Sequence, residues 1–598
     1  MPELKQERYS ESELYRIRHS SAHIMAQAVL EMFPSAKIAI GPPIEDGFYY
    51  DFDLPRPLTP EDLEHIEKRM REIIHSNVHF ARKVVSAGEA KQIFKDQPYK
   101  IELIEGLEKG TLDEDGNPVS EKPEISIYTE ATFTDLCRGP HVESSSEIIP
   151  DAVKLMSVAG AYWRGDEHRP MLQRIYGTAW ASPEELKEYL WRLEEAKKRD
   201  HRKLGRELGL FYFAEDVGPG LPLFTPRGEI MRYLMEKYVR DTQTRYGYQH
   251  VWTGHLVKED LYRRSGHYDN YKDSMFPPMV DENITFRLKP MNCPSHMILF
   301  NEMGLHSYRE LPLRFAEFAT LYRYEKTGEL TGLTRVRSLT QDDCHVFCTE
   351  EQIESEFKLA LDLIREVLGT YNFTNYRVRL SLKGKAGKYV QDDDKWDRAT
   401  AALRSAMDAS GLEYFVAEGE AAFYGPKADF IARDVLGRDW QLSTIQVDFI
   451  QPGRLGCKYI GEDGQEHTPV LLHRAVTGST ERFLGVLIEH YAGAFPAWLA
   501  PDQAVLIPIA DRHIDYAKEV AATLKDKGIR TIVDDGNERM NAKIRNAQTM
   551  KIPYMLVVGD KEMESGQVAL RLRNGENPGA MPLEDFIKLA EEEISKKI

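Results

Sequence analysis

The chain of 598 residues carries 78 Lys and Arg residues against 96 Asp and Glu residues, a formal net charge of −18 at pH 7. One hydrophobic core rarely serves so long a chain, so we expect three or four domains. The acidic balance argues against a protein that binds nucleic acid over a generally basic surface, and local basic patches would have to hold any RNA.

Cysteine usage and hydropathy indicate the cellular compartment. Five cysteines in so long a chain favour a reducing environment over a disulfide framework. No apolar run is long enough to span a bilayer, and the N-terminus lacks the hydrophobic region of a signal peptide. We therefore expect a soluble, cytoplasmic protein without a membrane segment.

The first predicted module runs to about residue 181 and mixes helical patterns with short strands. His19-Ser-Ser-Ala-His23 places two imidazoles on one face of a helix, because residues four apart share a face. Asp135-Leu-Cys-Arg-Gly-Pro-His141 adds a carboxylate, a thiol and an imidazole at a Gly-Pro turn. Taken alone, these spacings fit a structural zinc site as well as a hydrolytic pocket.

Residues 182–204 are predicted to form a charged linker helix. Ser182 is a suitable N-cap, Pro183 fits the first turn, and apolar residues then recur at a spacing near four.

Segment 205–500 contains three residues that together are a common ligand set for a catalytic zinc. Cys293 follows Lys-Pro-Met-Asn, His345 lies in Gln-Asp-Asp-Cys-His-Val-Phe, and His473 lies in Leu-His-Arg-Ala. One thiolate and two imidazoles bind zinc and leave a coordination position open for a substrate. Because residues so far apart seldom converge, this prediction depends on the motifs around them.

Two arginine-containing motifs surround these residues. The segments Leu321-Tyr-Arg-Tyr-Glu325 and Thr334-Arg-Val-Arg337 predict two strands joined by a Gly-containing loop, and Gly478-Ser-Thr-Glu-Arg-Phe483 opens an apolar helix. Arginine suits phosphate binding because its charge is permanent and its planar guanidinium group binds two oxygens at once. In this order the segments resemble motifs 2 and 3 of the class II aminoacyl-tRNA synthetases. The resemblance implies that Arg323 contacts the α-phosphate of ATP and Arg482 the γ-phosphate.

From residue 501 the pattern changes to alternating strands and helices. Strands are expected near 504–509, 530–533 and 554–558, with helices over 516–527 and 541–551. This alternation indicates a small α/β domain. Its sequence and position resemble the anticodon-binding domain that several class II synthetases share.

Longer segments resemble the bacterial threonyl-tRNA synthetases from about His19 to the C-terminus. They are Ala159-Gly-Ala-Tyr-Trp-Arg-Gly-Asp166, Met291-Asn-Cys-Pro294, Thr340-Gln-Asp-Asp-Cys-His345, Ala422-Phe-Tyr-Gly-Pro-Lys427 and Trp440-Gln-Leu-Ser-Thr-Ile-Gln-Val-Asp448. The resemblance implies an α+β multidomain protein with an antiparallel-sheet class II catalytic domain at 205–500. It also implies three further parts: an N-terminal α+β editing domain at 1–181, the linker helix at 182–204 and a C-terminal α/β anticodon-binding domain at 501–598.

The resemblance also implies an activity, cofactors and partners. The family joins L-threonine to threonine tRNA through threonyl adenylate, and its editing domain hydrolyses mischarged seryl-tRNA. One Zn²⁺ per chain in the catalytic domain, Mg²⁺ with ATP, and a homodimer are expected.

Site residues carry over where the family motifs match. The editing pocket is expected at His19, His23, Lys100, Asp135, Cys137 and His141. Zinc is expected on Cys293, His345 and His473, and threonine against Met291, Gln341, Asp343, Tyr424, Gln446 and Ser479. ATP is expected against Arg323, Glu325, Arg335, Lys427, Gln441 and Arg482. The catalytic residues are expected to be Arg323, Arg482, His267 and Gln441, of which His267 and Gln441 assist the transfer to tRNA. Anticodon contacts are expected from Asn537, Glu562 and Arg571.

The chain departs from the family pattern in three places. Gly254 stands where motif 1 usually has a proline at the dimer interface, and Leu339 stands where motif 2 commonly has an aromatic residue that stacks on adenine. Many bacterial relatives begin with a small ubiquitin-like domain, whereas His19 lies close to Met1 here. An alternative function is a non-catalytic, synthetase-like paralogue that binds RNA and regulates. Such a protein would be expected to lose a motif arginine or a zinc ligand, yet all are present.

Overall fold

The computed structural model describes residues 9–110, 124–384 and 388–597, and the chain divides into two compact units, Met1–Glu194 and Glu195–Ile598. In the described part of the chain, no helix is both long and apolar enough to cross a membrane. The fold class is confirmed as a multidomain α+β protein with a mainly antiparallel sheet in the second unit.

The N-terminal unit is built on a long helix that packs against an antiparallel sheet. Ser12 caps the helix Glu13–Met32, and its hydroxyl accepts a hydrogen bond from the Tyr15 amide at 3.2 Å. The buried face of the helix contacts Phe48 and Phe52 on the central strand Gly47–Asp53. The sheet order is Lys37–Ile38, Gly47–Asp53, Met171–Ala179, Val153–Tyr162, with Pro43–Ile44 also paired to Gly47–Asp53.

A smaller antiparallel sheet and further helices complete the unit. The sheet consists of Ala81–Val84, Ser126–Glu130 and Phe133–Leu136, and the further α-helices are Pro60–His75, Ala87–Ile93, Pro98–Lys109 and Pro183–Arg199. The linker helix predicted over residues 182–204 ends at Arg199. Asp200 accepts a hydrogen bond from the Arg202 amide and starts a separate helix, His201–Glu207, because an N-cap residue does not continue the preceding helix.

A large sheet forms the centre of the second unit. Its strand order is Gln249–His250, Leu313–Tyr322, Ser338–Cys348, Val470–Ala475, Asp439–Asp448, Lys427–Arg433, Tyr376–Leu382, Tyr414–Glu418. All neighbours are antiparallel except the two outermost pairs, which are parallel. One face packs on the helices Pro226–Arg245, Ile353–Thr370, Asp393–Ala409 and Thr480–His490 around an extensive hydrophobic core.

The opposite face of this sheet carries polar residues and a short helix. Phe315 and Phe347 on this face pack against Met297 and Phe300 of the helix Cys293–Glu302. Small sheets and helices surround it. One sheet has the strands Phe211–Tyr212 and Leu223–Phe224. A second has Leu256–Lys258, Ile284–Leu288 and Met279–Asp281, and a third has His306–Ser307, Tyr459–Ile460 and Glu466–His467. The helices are Glu259–Arg264, His267–Tyr271 and Gln451–Arg454.

The C-terminal part has the predicted alternation of strands and helices. The strand order is Thr531–Val533, Ala504–Pro508, Tyr554–Val558, Gln567–Leu572, Gly579–Pro582, and the helices are Ile514–Asp526, Met540–Thr549, Asp560–Ser565 and Leu583–Lys596. The first three strands are parallel. The last two continue the sheet in antiparallel fashion, which the sequence analysis did not predict.

Candidate active site

Strand register brings the predicted zinc ligands together. His345 and His473 are direct partners on neighbouring antiparallel strands, so their side chains project from the same face of the sheet. Their ring centroids lie 4.9 Å apart. Cys293 begins the helix that packs on this face, and the potential ligand atoms of the three residues lie within 4.8 Å of one another. The structure therefore confirms that these distant residues converge.

Burial and hydrogen bonds prepare the three side chains for a metal. Nε2 of His473 lies 3.0 Å from Asp448 Oδ2, and Nδ1 of His345 lies 2.8 Å from His296 Nδ1. The other ring nitrogen of each histidine, Nδ1 of His473 and Nε2 of His345, is therefore left for a metal. Burial lowers the pKa of His345, so its imidazole is neutral. Burial also raises the pKa of the Cys293 thiol, which would release its proton when a metal binds. This donor set fits Zn²⁺.

A cavity of about 680 Å³ lies over the sheet beside the motif residues. The predicted residues that line it are Arg323, Glu325, Arg335, Gln341, Gln441, Ser479 and Arg482. Within the described residues, Arg323 and Arg482 have no carboxylate within ion-pair distance. Burial lowers the pKa of both guanidinium groups, yet arginine stays charged in proteins. Two cations without an anionic partner are well placed for a polyphosphate.

The motif 3 helix contributes its N-terminus to the same cavity. Ser479 caps the helix Thr480–His490 by accepting a hydrogen bond from the Arg482 amide at 3.2 Å. A helix N-terminus favours anions because its amides and dipole present positive charge. Arg335, by contrast, forms ion pairs with Glu325 and Glu329. Its expected contact with ATP would require these pairs to rearrange.

Two further predicted residues, Gln446 and Lys427, are partners on neighbouring strands of the sheet. Gln446 is the partner of His473 on the neighbouring strand, and its side-chain oxygen accepts a hydrogen bond from Tyr424 at 2.7 Å. Lys427 forms an ion pair with Asp429 at 3.1 Å, and Gln441 donates to the same carboxylate.

Two further contacts involve the predicted residues Met291 and Asp343. Arg323 Nη2 lies 3.8 Å from Met291 Sδ, and Asp343 Oδ1 lies 3.9 Å from Nε2 of His345. His267 does not line the cavity. It is fully buried, and its Nε2 lies 3.3 Å from Cys293 Sγ.

Several residues at the site were not assigned from the sequence. Trp440 lines the cavity and its ring lies 5.8 Å from the Arg482 guanidinium group. Leu339 contributes apolar surface to the cavity in place of the family aromatic. Asp448 could have been found by its strand spacing of two from Gln446, and His296 by its helical spacing of three from Cys293.

The second predicted cluster lies in the N-terminal unit. Nε2 of His19 and of His141 lie 3.2 and 3.3 Å from the Cys137 sulfur, and the potential ligand atoms of His19, His23, Cys137 and His141 lie within 4.8 Å of one another. A small cavity of about 70 Å³ is lined by His19, His23, Lys100, Asp135 and Cys137 among others. The structure thus brings all six predicted editing residues together.

A buried ion pair distinguishes this pocket. Lys100 Nζ lies 2.5 Å from Asp135 Oδ1, and the Tyr50 hydroxyl donates to Asp135 Oδ2 at 2.5 Å. Burial lowers the pKa of His19 to about 3, with a further contribution from His23. Burial and the nearby Lys100 ammonium group lower the pKa of His23 to about 3 as well. Both imidazoles are therefore neutral at physiological pH and can accept a proton or a hydrogen bond.

Three family models match the chain. Residues 275–491 match the tRNA synthetase class II core domain (G, H, P, S and T), residues 503–593 match an anticodon binding domain, and residues 125–176 match the threonyl and alanyl tRNA synthetase second additional domain. The last match contains Asp135, Cys137 and His141.

Relatives cover nearly the whole chain. Threonine–tRNA ligase of Rubrobacter xylanophilus is 61% identical over 587 residues, which cover 98% of this chain and 89% of that protein. The chain belongs to the threonine–tRNA ligase family. The Thermus thermophilus ligase is 50% identical, with 97% of this chain and 88% of that protein covered. A solved RNA-binding domain of threonyl-tRNA synthetase from Cryptosporidium parvum has a TM-score of 0.63 at 37% identity and covers 66% of this chain and 98% of that chain.

The residues expected to contact the anticodon of a threonine–tRNA ligase lie on a loop, a strand and a helix of the C-terminal part. Asn537 is exposed in the loop after Thr531–Val533, and Arg571 lies on the strand Gln567–Leu572. Glu562 accepts a hydrogen bond from the Gly559 amide at 2.9 Å, so it also caps the helix Asp560–Ser565.

Proposed function

We propose that this chain joins L-threonine to threonine tRNA in an ATP-dependent reaction through threonyl adenylate, and that it hydrolyses seryl-tRNA formed in error. The observation that carries the synthetic activity is the convergence of Cys293, His345 and His473 beside a cavity lined by two arginines that have no carboxylate partner among the described residues. An amino-acid site and a polyphosphate site therefore adjoin each other. A non-catalytic paralogue would not need an amino-acid site next to a polyphosphate site, and the relatives that match this chain are threonine–tRNA ligases.

In the first step the threonine carboxylate attacks the α-phosphorus of ATP and pyrophosphate leaves. Arg323 lies next to Met291 at the amino-acid end of the cavity, where it can hold the α-phosphate. Arg482 and the helix N-terminus at Ser479 can hold the departing phosphates, with Mg²⁺ accompanying ATP. These groups are fixed before the reaction, so they stabilise the developing charge without reorganising.

The three-residue cluster is the proposed zinc site. Zinc bound by Cys293, His345 and His473 would supply a Lewis acid for the amino and hydroxyl groups of threonine. Asp343, Met291, Gln341, Tyr424, Gln446 and Ser479 are proposed to surround the amino acid. Asp343 would receive the ammonium group, and the hydrogen bond between Tyr424 and Gln446 would hold one wall of the site.

In the second step a ribose hydroxyl of the tRNA terminus attacks the carbonyl carbon of threonyl adenylate, and AMP leaves. Gln441 lines the cavity, and Lys427 binds the carboxylate to which Gln441 donates, so both are proposed to position the nucleotide. His267 is proposed to assist this step from the amino-acid end. Its position 3.3 Å from the Cys293 sulfur supports a role beside threonine.

Editing follows from the limits of the synthetic site. A site that binds the threonine hydroxyl rejects valine by about 10⁴ to 10⁵, since valine leaves the polar groups unpaired. Serine keeps the hydroxyl and lacks only a methyl group, a difference of roughly 1–3 kcal/mol or about 10- to 200-fold. A separate hydrolytic site is therefore needed for accurate synthesis.

The N-terminal pocket has the groups that hydrolysis requires. Neutral His19 and His23 can hold a water molecule and the terminal ribose, while Lys100 can bind the developing negative charge of the ester. The buried Asp135 holds Lys100 in place. We assign this pocket to hydrolysis without a bound metal.

The remaining proposals concern domains, partners and location. The four domains are proposed at residues 1–181, 182–204, 205–500 and 501–598, with the anticodon read by Asn537, Glu562 and Arg571. A cytoplasmic homodimer is proposed, and exposed apolar residues near motif 1 support a subunit interface there. Trp252, two residues before Gly254, is 74% exposed, and Val280, on the edge strand Met279–Asp281 of the small sheet that follows, is 70% exposed.

The function is tested by the exchange of pyrophosphate into ATP in the presence of each amino acid, with metal analysis of the same protein sample. We expect threonine to support exchange strongly, serine weakly, and valine at background level. Exchange that is independent of the amino acid added would contradict the proposed activity. Threonine-dependent exchange in a protein without zinc would retain the activity but remove the metal from it.

A further inference from the structure

The ligand His345 is held by another histidine. Nδ1 of His345 lies 2.8 Å from Nδ1 of His296, and both side chains are buried. Two neutral imidazoles at this distance share one proton, so one Nδ1 donates and the other accepts. Which Nδ1 carries the proton decides whether His345 can bind a metal, because a His345 that is protonated on Nε2 has no lone pair there to offer.

A buried polar network fixes the other side of His296. Its Nε2 lies 3.0 Å from Glu317 Oε2 and 2.8 Å from Asn292 Nδ2, which donates to the same carboxylate oxygen at 2.7 Å. The Thr253 amide and Lys289 also approach Glu317, at 2.9 and 3.7 Å. Burial alone would raise the pKa of Glu317, but these hydrogen bonds and the Lys289 charge hold it at about 2. Glu317 is therefore a carboxylate, which can only accept hydrogen bonds.

The carboxylate determines where the proton of His296 sits. An unprotonated Nε2 could accept from the Asn292 amide at 2.8 Å, but it would set its lone pair against the negative charge of Glu317 at 3.0 Å. Because a hydrogen bond to an ionised acceptor is stronger than a neutral one, Nε2 carries the proton and donates to Glu317. Nδ1 of neutral His296 is then an acceptor, and His345 must donate from its own Nδ1. The Nε2 lone pair of His345 is left facing Cys293 and His473.

We propose that His296 is a positioning residue. Because it donates a hydrogen bond to Glu317, it must accept one from His345, and this fixes the tautomer in which His345 can bind zinc. The second histidine ligand needs no relay, since His473 Nε2 meets the Asp448 carboxylate directly at 3.0 Å. Partners of this kind orient metal-binding imidazoles, and their loss typically lowers metal affinity about 10- to 100-fold. The inference rests on the zinc site assigned under the proposed function.

The test uses the full chain and two variants that act on opposite ends of the relay. Glu317→Gln keeps the size of the side chain, but its amide group can donate to His296 Nε2 and reverse both hydrogen bonds. His296→Gln removes the imidazole. His306→Gln is the matched control, because His306 is also buried and bonded through both ring nitrogens, to Glu310 and to the Phe300 carbonyl, but it does not contact the ligands.

Two measurements separate positioning from folding. One is the zinc affinity, measured by competition with a coloured chelator. The other is the visible spectrum of the cobalt-substituted protein, which reports the geometry of the three ligands. We expect both variants to bind zinc about 10- to 100-fold more weakly with an altered cobalt spectrum, while the control resembles the unmodified chain. Thermal unfolding of the metal-free proteins should differ little.

The outcomes distinguish the two assignments. Unchanged zinc affinity and cobalt spectrum in both variants would overturn the role of His296 and leave the zinc site in place. An unmodified chain that binds no zinc would overturn both. Should Glu317→Gln fail to fold, His296→Gln decides the matter, because it leaves the contacts of Glu317 with Thr253 and Lys289 intact. Equal weakening in His306→Gln would show a general effect of packing and contradict the proposal.

Discussion

The two clusters of cysteine and histidine have similar ligand atoms and different surroundings. Each brings a thiol and imidazole nitrogens within 4.8 Å of one another. The cluster on the large sheet is surrounded by carboxylates, with Asp448 on His473 and Glu317 behind His296. In the N-terminal cluster, His23 also lies near two carboxyl groups, Glu130 at 3.3 Å and Asp135 at 3.5 Å. Burial raises the pKa of Glu130, and the Lys100 ammonium group in the pocket wall pairs with Asp135.

From this difference in charge we expect a metal at the first cluster and hydrolysis in the second pocket. Carboxylates that polarise the ligand imidazoles favour a dication, whereas a nearby ammonium group opposes it. The same ammonium group is useful where an ester is cleaved and negative charge develops on oxygen. The same residue types can thus serve different chemistry, because the charges behind them differ.

The largest effect is expected from substitutions that disable the synthetic site alone. Arg323→Ala or Arg482→Ala should slow formation of threonyl adenylate by about 10³-fold or more, since each removes a charge from the phosphates. Deacylation of preformed seryl-tRNA by the same proteins should be unchanged. Pre-steady-state measurement of adenylate formation checks this. Near-normal rates in either variant would mean that the arginine does not contact ATP.

The reciprocal change breaks the N-terminal pocket alone. Replacing both His19 and His23 by Ala should lower the deacylation of seryl-tRNA by about 10²-fold or more, because the groups that hold water are lost. Threonine activation and charging should remain. Loss of deacylation together with charging would point to a folding defect, and full deacylation would show that the histidines are structural.

Metal content sharpens the comparison. We expect one zinc per chain in the unmodified protein, none in Cys293→Ser, and one still in Cys137→Ser. Asp448 bonds the ligand His473 in the sheet cluster, whereas Asp135 in the N-terminal pocket is paired with Lys100. Elemental analysis after dialysis against a weak chelator measures this. Two metal ions per chain, with one lost in each variant, would place a metal in the N-terminal pocket as well.

The smallest expected effect concerns pH. A histidine with a pKa of about 3 is neutral throughout the physiological range, in contrast to the usual value of 6.5. Lowering the pH from 8 to 5 should therefore not protonate His19 or His23, and the single-turnover rate of seryl-tRNA deacylation should show no inflection from them. An inflection near pH 6.5 that disappears in His23→Gln would disprove this expectation.

The sequence determined the local features of the protein. The four-residue spacing of His19 and His23 predicted one helix face. The motif around Arg323 predicted two strands joined by a loop, and the structure has these paired strands at Leu313–Tyr322 and Ser338–Cys348, so that Arg323 and residues 334–337 lie in the loop itself. Ligand types, the antiparallel catalytic fold and the family followed from the same motifs. These features depend on neighbours in sequence, where helix and strand periods and specific motifs carry the information.

Only the tertiary structure decided which distant residues meet. The register that sets His345 opposite His473 depends on how two strands pair, and no local pattern specifies that register. The relay from Glu317 through His296 likewise needs a strand, a helix and a neighbouring strand in place at once. The charge around each cluster, and hence its chemistry, arises from such long-range contacts, because side chains that are far apart in sequence approach each other only in the folded chain.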